Sequence, residues 1–181
     1  MARPTHVVAY AILATLLCAP SAVNAQDDQL QLTRVKPADP EMRRLVLEGY
    51  SRSAAFSALV DELQLSNAIV VVQYGTCGNG RVRSCVSSVD GDTQQRHIRI
   101  KVNTRTTDDR LIATIAHELQ HAVEIVREPS ATNAQQTLAL YRRIATGKCR
   151  EGLSEACETE AAVEIESRVN DELSRAASVK R

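Results

Sequence analysis

The sequence predicts an α+β fold in which a small antiparallel sheet packs on one long helix and the C-terminal half is mostly helical. Three segments lead to this prediction. Residues Ala68–Tyr74 (AIVVVQY) form the β-branched run of a strand, and Arg96–Val102 alternates apolar and polar residues as a half-buried strand does. Residues 106–126 carry apolar side chains at helical spacing, with acids in the first turn, where the helix dipole favours them.

The segments around these three complete the predicted order of elements. Asp39, followed by a proline, is typical of a helix start, and the apolar spacing continues this helix to about Leu65. Residues 82–89 are predicted as a second strand, joined to the third by a hairpin turn at Asp90 and Gly91. Two further helices are predicted in the C-terminal half, at residues 131–145 and 155–177.

The beginning of the chain has the pattern of a signal peptide over residues 1–25. Arg3 precedes an apolar run that ends in small residues suited to cleavage. Residues 26–38 are polar without apolar periodicity, so we expect a flexible lead-in before a single domain over 39–181. The expected location is secreted or periplasmic, with no stable membrane anchor once the leader is removed.

Four cysteines follow the predicted leader, and an even number in an exported chain indicates two disulfides. Four cysteines allow three pairings. The local pairing Cys77–Cys85 and Cys149–Cys157 is preferred, because each pair flanks a glycine-containing loop. The spacing lacks the close pairs of a cysteine-based zinc site.

The composition argues against several classes of function. Lys and Arg number 22 and Asp and Glu number 22, so the net charge of zero favours neither nucleic acid nor an anionic membrane as partner. Aromatic residues make up only 3% of the chain, too few for a base-stacking surface. Residues 81–110 are mainly basic and 150–172 mainly acidic, so these segments either meet within the fold or form a partner surface.

The sequence HELQH, on the predicted long helix, carries the candidate chemistry. Its histidines, His117 and His121, are four residues apart and therefore lie one turn apart on one helix face, where both can reach a single metal ion. Glu118 is rotated by about 100° from His117, which places it beside such an ion, where a general base belongs. Neutral imidazoles suit zinc, and a catalytic zinc takes three protein ligands and keeps its fourth position open.

The third ligand has to come from another segment. Glu158 heads an apolar stripe of the predicted C-terminal helix, which is a costly position for a carboxylate without a partner. It also follows Cys157, whose disulfide would hold its backbone, so we predict Glu158 as the third ligand. Glu160, on the polar face of that helix, and His97, on the polar face of its strand, are the alternatives.

Two further residues are candidates for supporting roles. Glu124 lies on the ligand side of the long helix, three residues after His121, and could orient that ligand. Hydrolysis also needs a donor for the oxyanion, and Tyr141 is the nearest tyrosine after the motif. Arg142 and Arg143 are among its competitors for this role.

The HELQH sequence resembles the active-site helix of the zincin metallopeptidases. The order of a small meander, the motif helix and a later helix that brings a glutamate resembles the gluzincin branch of that family. This resemblance implies a zinc peptidase in which His117, His121 and Glu158 bind zinc and Glu118 is the general base, acting on a peptide or protein substrate. It also implies that the strand before the motif helix, Arg96–Val102, is an edge strand that pairs with an extended substrate.

Two other interpretations stay open. The chain would be a non-catalytic exported zinc-binding domain if a fourth protein ligand closed the site, although Glu118 would then have no role. It would be a disulfide-stapled helical interaction domain if its stability did not depend on metal. A di-iron helical bundle is disfavoured, because it needs a second Glu-x-x-His pair, which the sequence after residue 25 lacks.

Overall fold

The computed structural model describes residues 31–80, 82–103, 106–147, 149 and 157–179. Within these ranges the chain forms a mixed four-stranded sheet and five α-helices, so the predicted α+β class is confirmed. The predicted signal peptide lies outside the described residues. Among the described helices, none is both long enough and apolar enough to cross a membrane.

The segment before the first helix contains regular structure where the sequence predicts a flexible lead-in. Strand β1 (Val35–Pro37) pairs in parallel with strand β2 (Ala68–Tyr74). Val35 is fully buried and belongs to the hydrophobic core. Three residues are too few to show an alternating pattern, so only the pairing with β2 reveals this strand.

The first predicted helix is in fact two helices, α1 (Pro40–Arg52) and α2 (Ala54–Gln64). The break is at Ser53, which has an extended backbone conformation. Its hydroxyl accepts a hydrogen bond from the Phe56 N–H and donates one to Glu172. Ser53 therefore caps the second helix, and its contact with a distant acid stabilises a break that the apolar spacing does not show.

The sheet order is β1-β2-β4-β3, with β3 (Ser84–Gly91) at one edge and β4 (Arg96–Val102) inside. Strand β4 runs parallel to β2 and antiparallel to β3, so the expectation of an all-antiparallel meander is wrong. The alternating apolar residues of β4 bury one face of this strand. Strand β3 is rich in polar residues and carries a bulge between Val86 and Ser88, features that suit an edge.

The turn between β3 and β4 lies after Gly91 rather than at the predicted Asp90 and Gly91. The Asp92 carboxylate closes it by accepting hydrogen bonds from the N–H groups of Gln94 and Gln95. Gly91 has a φ of 122°, and a Cβ at this position would clash with the Gln95 carbonyl oxygen. Glycine is therefore required where the strand enters the turn.

Helix α3 (Asp108–Arg127) is the centre of the core. It packs against the sheet, against α1 and α2, and against helix α5 (Glu160–Val179). Its N-cap is Thr107, which makes no side-chain capping bond. At the other end, the buried Arg96 donates hydrogen bonds to the last carbonyls of the helix, which fixes α3 against the start of β4.

Helix α4 (Ala134–Ile144) follows, and it begins after Asn133, whose side chain accepts a hydrogen bond from the Gln136 N–H. The Cys77–Cys85 and Cys149–Cys157 disulfides are both present. Two disulfides indicate that the protein folds in an oxidising environment outside the cytosol.

Candidate metal centre

Helix α3 places His117 and His121 one turn apart on the same side of the helix. Their ring centroids are 4.9 Å apart, and each side chain is only 8% exposed. The long apolar stripe of α3 buries this helix in the core, and the two histidines lie where it borders a cavity. Both imidazoles are therefore largely buried and can reach one ion beside this cavity.

Glu158 brings a third possible metal ligand from a distant part of the chain. One of its carboxylate oxygens lies 3.1 Å from His117 Nε2, and one ligand atom from each of His117, His121 and Glu158 lies within 4.8 Å of the others. Around a tetrahedral zinc ion with bonds of about 2.1 Å, ligand atoms are roughly 3.4 Å apart. The three side chains lie close enough together to be compatible with a metal site.

The segment that carries Glu158 precedes α5, because this helix begins at Glu160 rather than near residue 155. The predicted apolar stripe is present, since Ala162 and Val169 are fully buried. The Glu158 side chain is 56% exposed, so the group opens to solvent on this side. Glu160 is exposed and lies outside the group.

Carboxylates also contact the outer nitrogens of both imidazole rings. Glu124 Oε2 lies 2.9 Å from His121 Nδ1, the place expected of a residue that orients this histidine. Glu166 Oε2 lies 3.2 Å from His117 Nδ1, close enough for an ion pair but outside the direction of a hydrogen bond. A carboxylate at Nδ1 leaves Nε2 to face the ion, an arrangement typical of metal-binding histidines.

Glu166 was not predicted from the sequence as a site residue. The helical spacing of α5 could have identified Glu166 as a residue on the side that faces the site. Glu166 lies four residues after Ala162 and three before Val169, which are both on the buried stripe. Its carboxylate also lies 3.2 Å from the guanidinium of Arg83, the residue directly before strand β3. The basic and acidic segments noted in the sequence therefore meet at this point of the site.

Thr159 links the segment of the third ligand to the motif helix. Its hydroxyl donates a 2.6 Å hydrogen bond to Glu124 Oε1 and accepts one from the Ala162 N–H, which caps α5. Glu124 in turn contacts the His121 ring. The start of α5 and the orientation of His121 are therefore coupled through hydrogen bonds.

The metal-free site favours positive charge at His117. Burial alone would lower the pKa of His117, but the carboxylates of Glu158 and Glu166 outweigh this effect and raise it to about 10. The contact with His117 holds the pKa of both carboxyls below the usual range. The same carboxylates that favour the imidazolium would also favour a divalent cation at this place.

Glu118 lines the same cavity and is only 3% exposed. Burial raises the pKa of its carboxyl, against the opposing effects of His121, His117 and the Ser84 hydroxyl. Its Oε2 makes no hydrogen bond to the described residues. A buried carboxylate oxygen without a partner costs stability, so its position beside the histidines points to a functional role.

The cavity next to these residues has a volume of about 360 Å³. Its walls are β3, α3, α4 and the chain from Cys157 to Glu166. The resemblance to the zincins implies that β4 is the edge strand at the site. The edge strand there is instead β3, because β4 is paired on both sides. Among the described residues, an edge strand, a cavity and the group of possible metal ligands therefore meet in one place.

The other sequence candidates lie elsewhere or are already bonded. His97 is exposed on β4, and Arg142 and Arg143 are exposed on α4. The Tyr141 hydroxyl donates a 3.2 Å hydrogen bond to the His121 carbonyl, and its ring packs edge-on against the His121 ring at 5.2 Å. Tyr141 therefore supports His121 and does not present a free donor to a substrate.

Comparison with known proteins identifies no relative. No protein-family model, curated protein or solved structure matches this chain. A functional assignment therefore depends on the geometry of the metal-binding group and its surroundings.

Proposed function

We propose that this chain is an exported zinc-dependent metallopeptidase that hydrolyses peptide bonds. The proposal depends on one observation: His117, His121 and Glu158 converge beside an open cavity, with Glu118 next to them. The resemblance of HELQH to the zincin motif supports the same function.

The donor set favours zinc as the metal. Two imidazoles and one carboxylate are a ligand set of known catalytic zinc sites, which leave a fourth position for water or substrate. Among the described residues the group has three members, whereas a structural zinc site is usually closed by four. Zinc held there would lower the pKa of a water molecule and polarise the carbonyl of the scissile bond.

The chain's own residues would supply the remaining steps. Glu118 would accept the proton of the attacking water on its carboxylate and deliver it to the amine nitrogen of the leaving peptide. Burial raises the pKa of this carboxyl, which makes the carboxylate a stronger proton acceptor. The outer edge of β3, which pairs with no other described strand, would pair with an extended peptide and place the scissile bond next to the metal group.

The first test measures zinc content and peptide hydrolysis in the purified, oxidised protein without its leader. We expect about one zinc per chain after dialysis, and cleavage within a library of internally quenched peptides. Glu118→Gln should keep the zinc but reduce hydrolysis about 100-fold or more, because glutamine has the same shape and cannot accept the proton. Glu160→Gln is the matched control, and it should change neither quantity, since Glu160 is exposed outside the group.

Each other outcome favours a different function. Zinc binding without hydrolysis would favour a non-catalytic zinc-binding domain. A protein that takes up no zinc, and whose melting temperature does not respond to it, would be a disulfide-stapled interaction domain. A Glu118→Gln variant that cleaves peptides as fast as the unaltered chain would refute the role of Glu118.

A further inference from the structure

Of the three ligands, Glu158 alone is not held by a helix. Residues 157–159 form a short segment before α5, and the Glu158 side chain is 56% exposed, compared with 8% for each histidine. Helix α3 holds the two histidines rigidly. Glu158 has no such helix, so its position depends on contacts made by its backbone and by the neighbouring residues.

On its N-terminal side this segment is tied to the end of α4. The preceding residue, Cys157, is buried and bonded to Cys149. The Glu158 carbonyl accepts hydrogen bonds from the Thr146 N–H at 3.0 Å and from the Thr146 hydroxyl at 3.3 Å. One covalent bond and two hydrogen bonds therefore hold the ligand's backbone from this direction.

On its C-terminal side the segment is tied to the motif helix, through the hydrogen bond from Thr159 to Glu124. Glu158 lies between these two anchors. If the covalent anchor were opened, the segment would gain conformational freedom in the metal-free protein. That freedom would be lost again when the carboxylate bound a metal ion, and this loss weakens binding.

We propose that the Cys149–Cys157 disulfide is a positioning element of the metal site, so that metal affinity depends on this bridge being closed. Such control requires the metal site of the proposed function but not its hydrolysis. A protein that binds zinc without cleaving peptides would still show it.

The chain offers a matched control, because both disulfides join cysteines eight residues apart. The Cys77–Cys85 bridge is not adjacent in sequence to any of the three ligands. The experiment compares C149S/C157S with C77S/C85S in the protein without its leader, using zinc alone as the probe and competition with a chromophoric chelator as the readout. Serine replaces cysteine in both variants, because a free thiolate would itself bind zinc.

C149S/C157S should bind zinc about tenfold more weakly or worse, as happens when groups that orient metal ligands are removed. C77S/C85S should keep the affinity of the unaltered protein, even if its melting temperature falls. Unchanged affinity in C149S/C157S would overturn the proposal. Equal losses in both variants would also overturn it, since they would reflect general destabilisation.

A double-mutant cycle tests whether the bridge acts through Glu158. In a Glu158→Ala background, C149S/C157S should cause no further loss of zinc affinity, because the ligand that the bridge positions is already missing. Additive losses would overturn the proposal.

Substitutions at Thr146 keep the proposal testable if C149S/C157S fails to fold. Thr146→Val removes one of the two hydrogen bonds to the Glu158 carbonyl and should weaken zinc binding about twofold to threefold. Thr146→Ser should restore the affinity. With the bridge variant unfolded, equal affinity in Thr146→Val and the unaltered protein would overturn the proposal. If the zinc affinities are as expected but the protein hydrolyses no peptide, the peptidase function is refuted and the role of the disulfide is not.

Discussion

Replacing Glu158 by alanine separates metal binding from folding. Without metal, the Glu158 carboxylate contacts His117 Nε2 at 3.1 Å, and the glutamate side chain is 56% exposed. An ion pair with so exposed a partner contributes roughly 0–1 kcal/mol to stability. The zinc-free variant should therefore unfold within a few degrees of the unaltered protein.

With zinc the effect should be much larger. Removal of a group that only orients a ligand weakens metal binding roughly 10–100-fold, so removal of a direct ligand should weaken it by about 100-fold or more. At zinc concentrations well above both dissociation constants, 100-fold corresponds to about 2.7 kcal/mol of stability. Since 1 kcal/mol shifts the Tm of a domain of this size by about 2–4 °C, the zinc-induced rise in Tm should be about 5–11 °C smaller in the variant.

Thermal unfolding followed by circular dichroism, with and without excess zinc, measures both effects. Glu160→Ala is the matched control, because Glu160 lies two residues away and outside the metal-binding group. A Glu158→Ala protein that keeps the full stabilisation by zinc would refute the assignment of the third ligand. Loss of that stabilisation in Glu160→Ala instead would identify Glu160 as the ligand.

Three further predictions concern Glu124, His117 and Arg96. Glu124→Gln should weaken zinc binding about 10–100-fold without unfolding the protein, and unchanged affinity in a chelator competition would exclude its orienting role. The pKa of His117 is raised from its ordinary 6.5 to about 10, so its contribution to the stability of the zinc-free protein is full below pH 6.5 and lost as the pH approaches 10. Over this pH range the Tm of the unaltered, zinc-free protein should fall more than the Tm of His117→Gln. If Tm falls with pH equally in both proteins, His117 does not make this stabilising contribution. Arg96→Ala should lower the free energy of unfolding by about 3 kcal/mol, because it leaves the last carbonyls of α3 without their donor, whereas a loss below about 1 kcal/mol in denaturant titration would contradict this role.

Features that depend on neighbouring residues can be predicted from the sequence. The spacing of His117 and His121 places them on one side of any helix, because the period of 3.6 residues belongs to the backbone itself. The alternation of Arg96–Val102 likewise appears in the structure as alternate burial along β4. Both disulfides close over short stretches of chain, so local pairing was sufficient to propose them.

Features that depend on distant segments differ from the sequence prediction. The three strands β2, β3 and β4 follow one another in the chain, which suggests a meander, yet β4 pairs between the other two. The break at Ser53 depends on Glu172, which belongs to the last helix. Glu166 reaches His117 only because α5 packs along α3.

The sequence by itself therefore determined the α+β class, the helix that carries HELQH, and the residue types of the candidate site. Only the tertiary structure decided that β3 is the strand edge at the cavity and that Glu158, rather than Glu160, lies with the histidines. The hydrogen bond from Thr159 to Glu124 likewise depends on the tertiary structure. The physical reason is range: helical period, capping and turn chemistry act over a few residues, whereas strand order and the meeting of ligands are set by the packing of segments far apart in the chain.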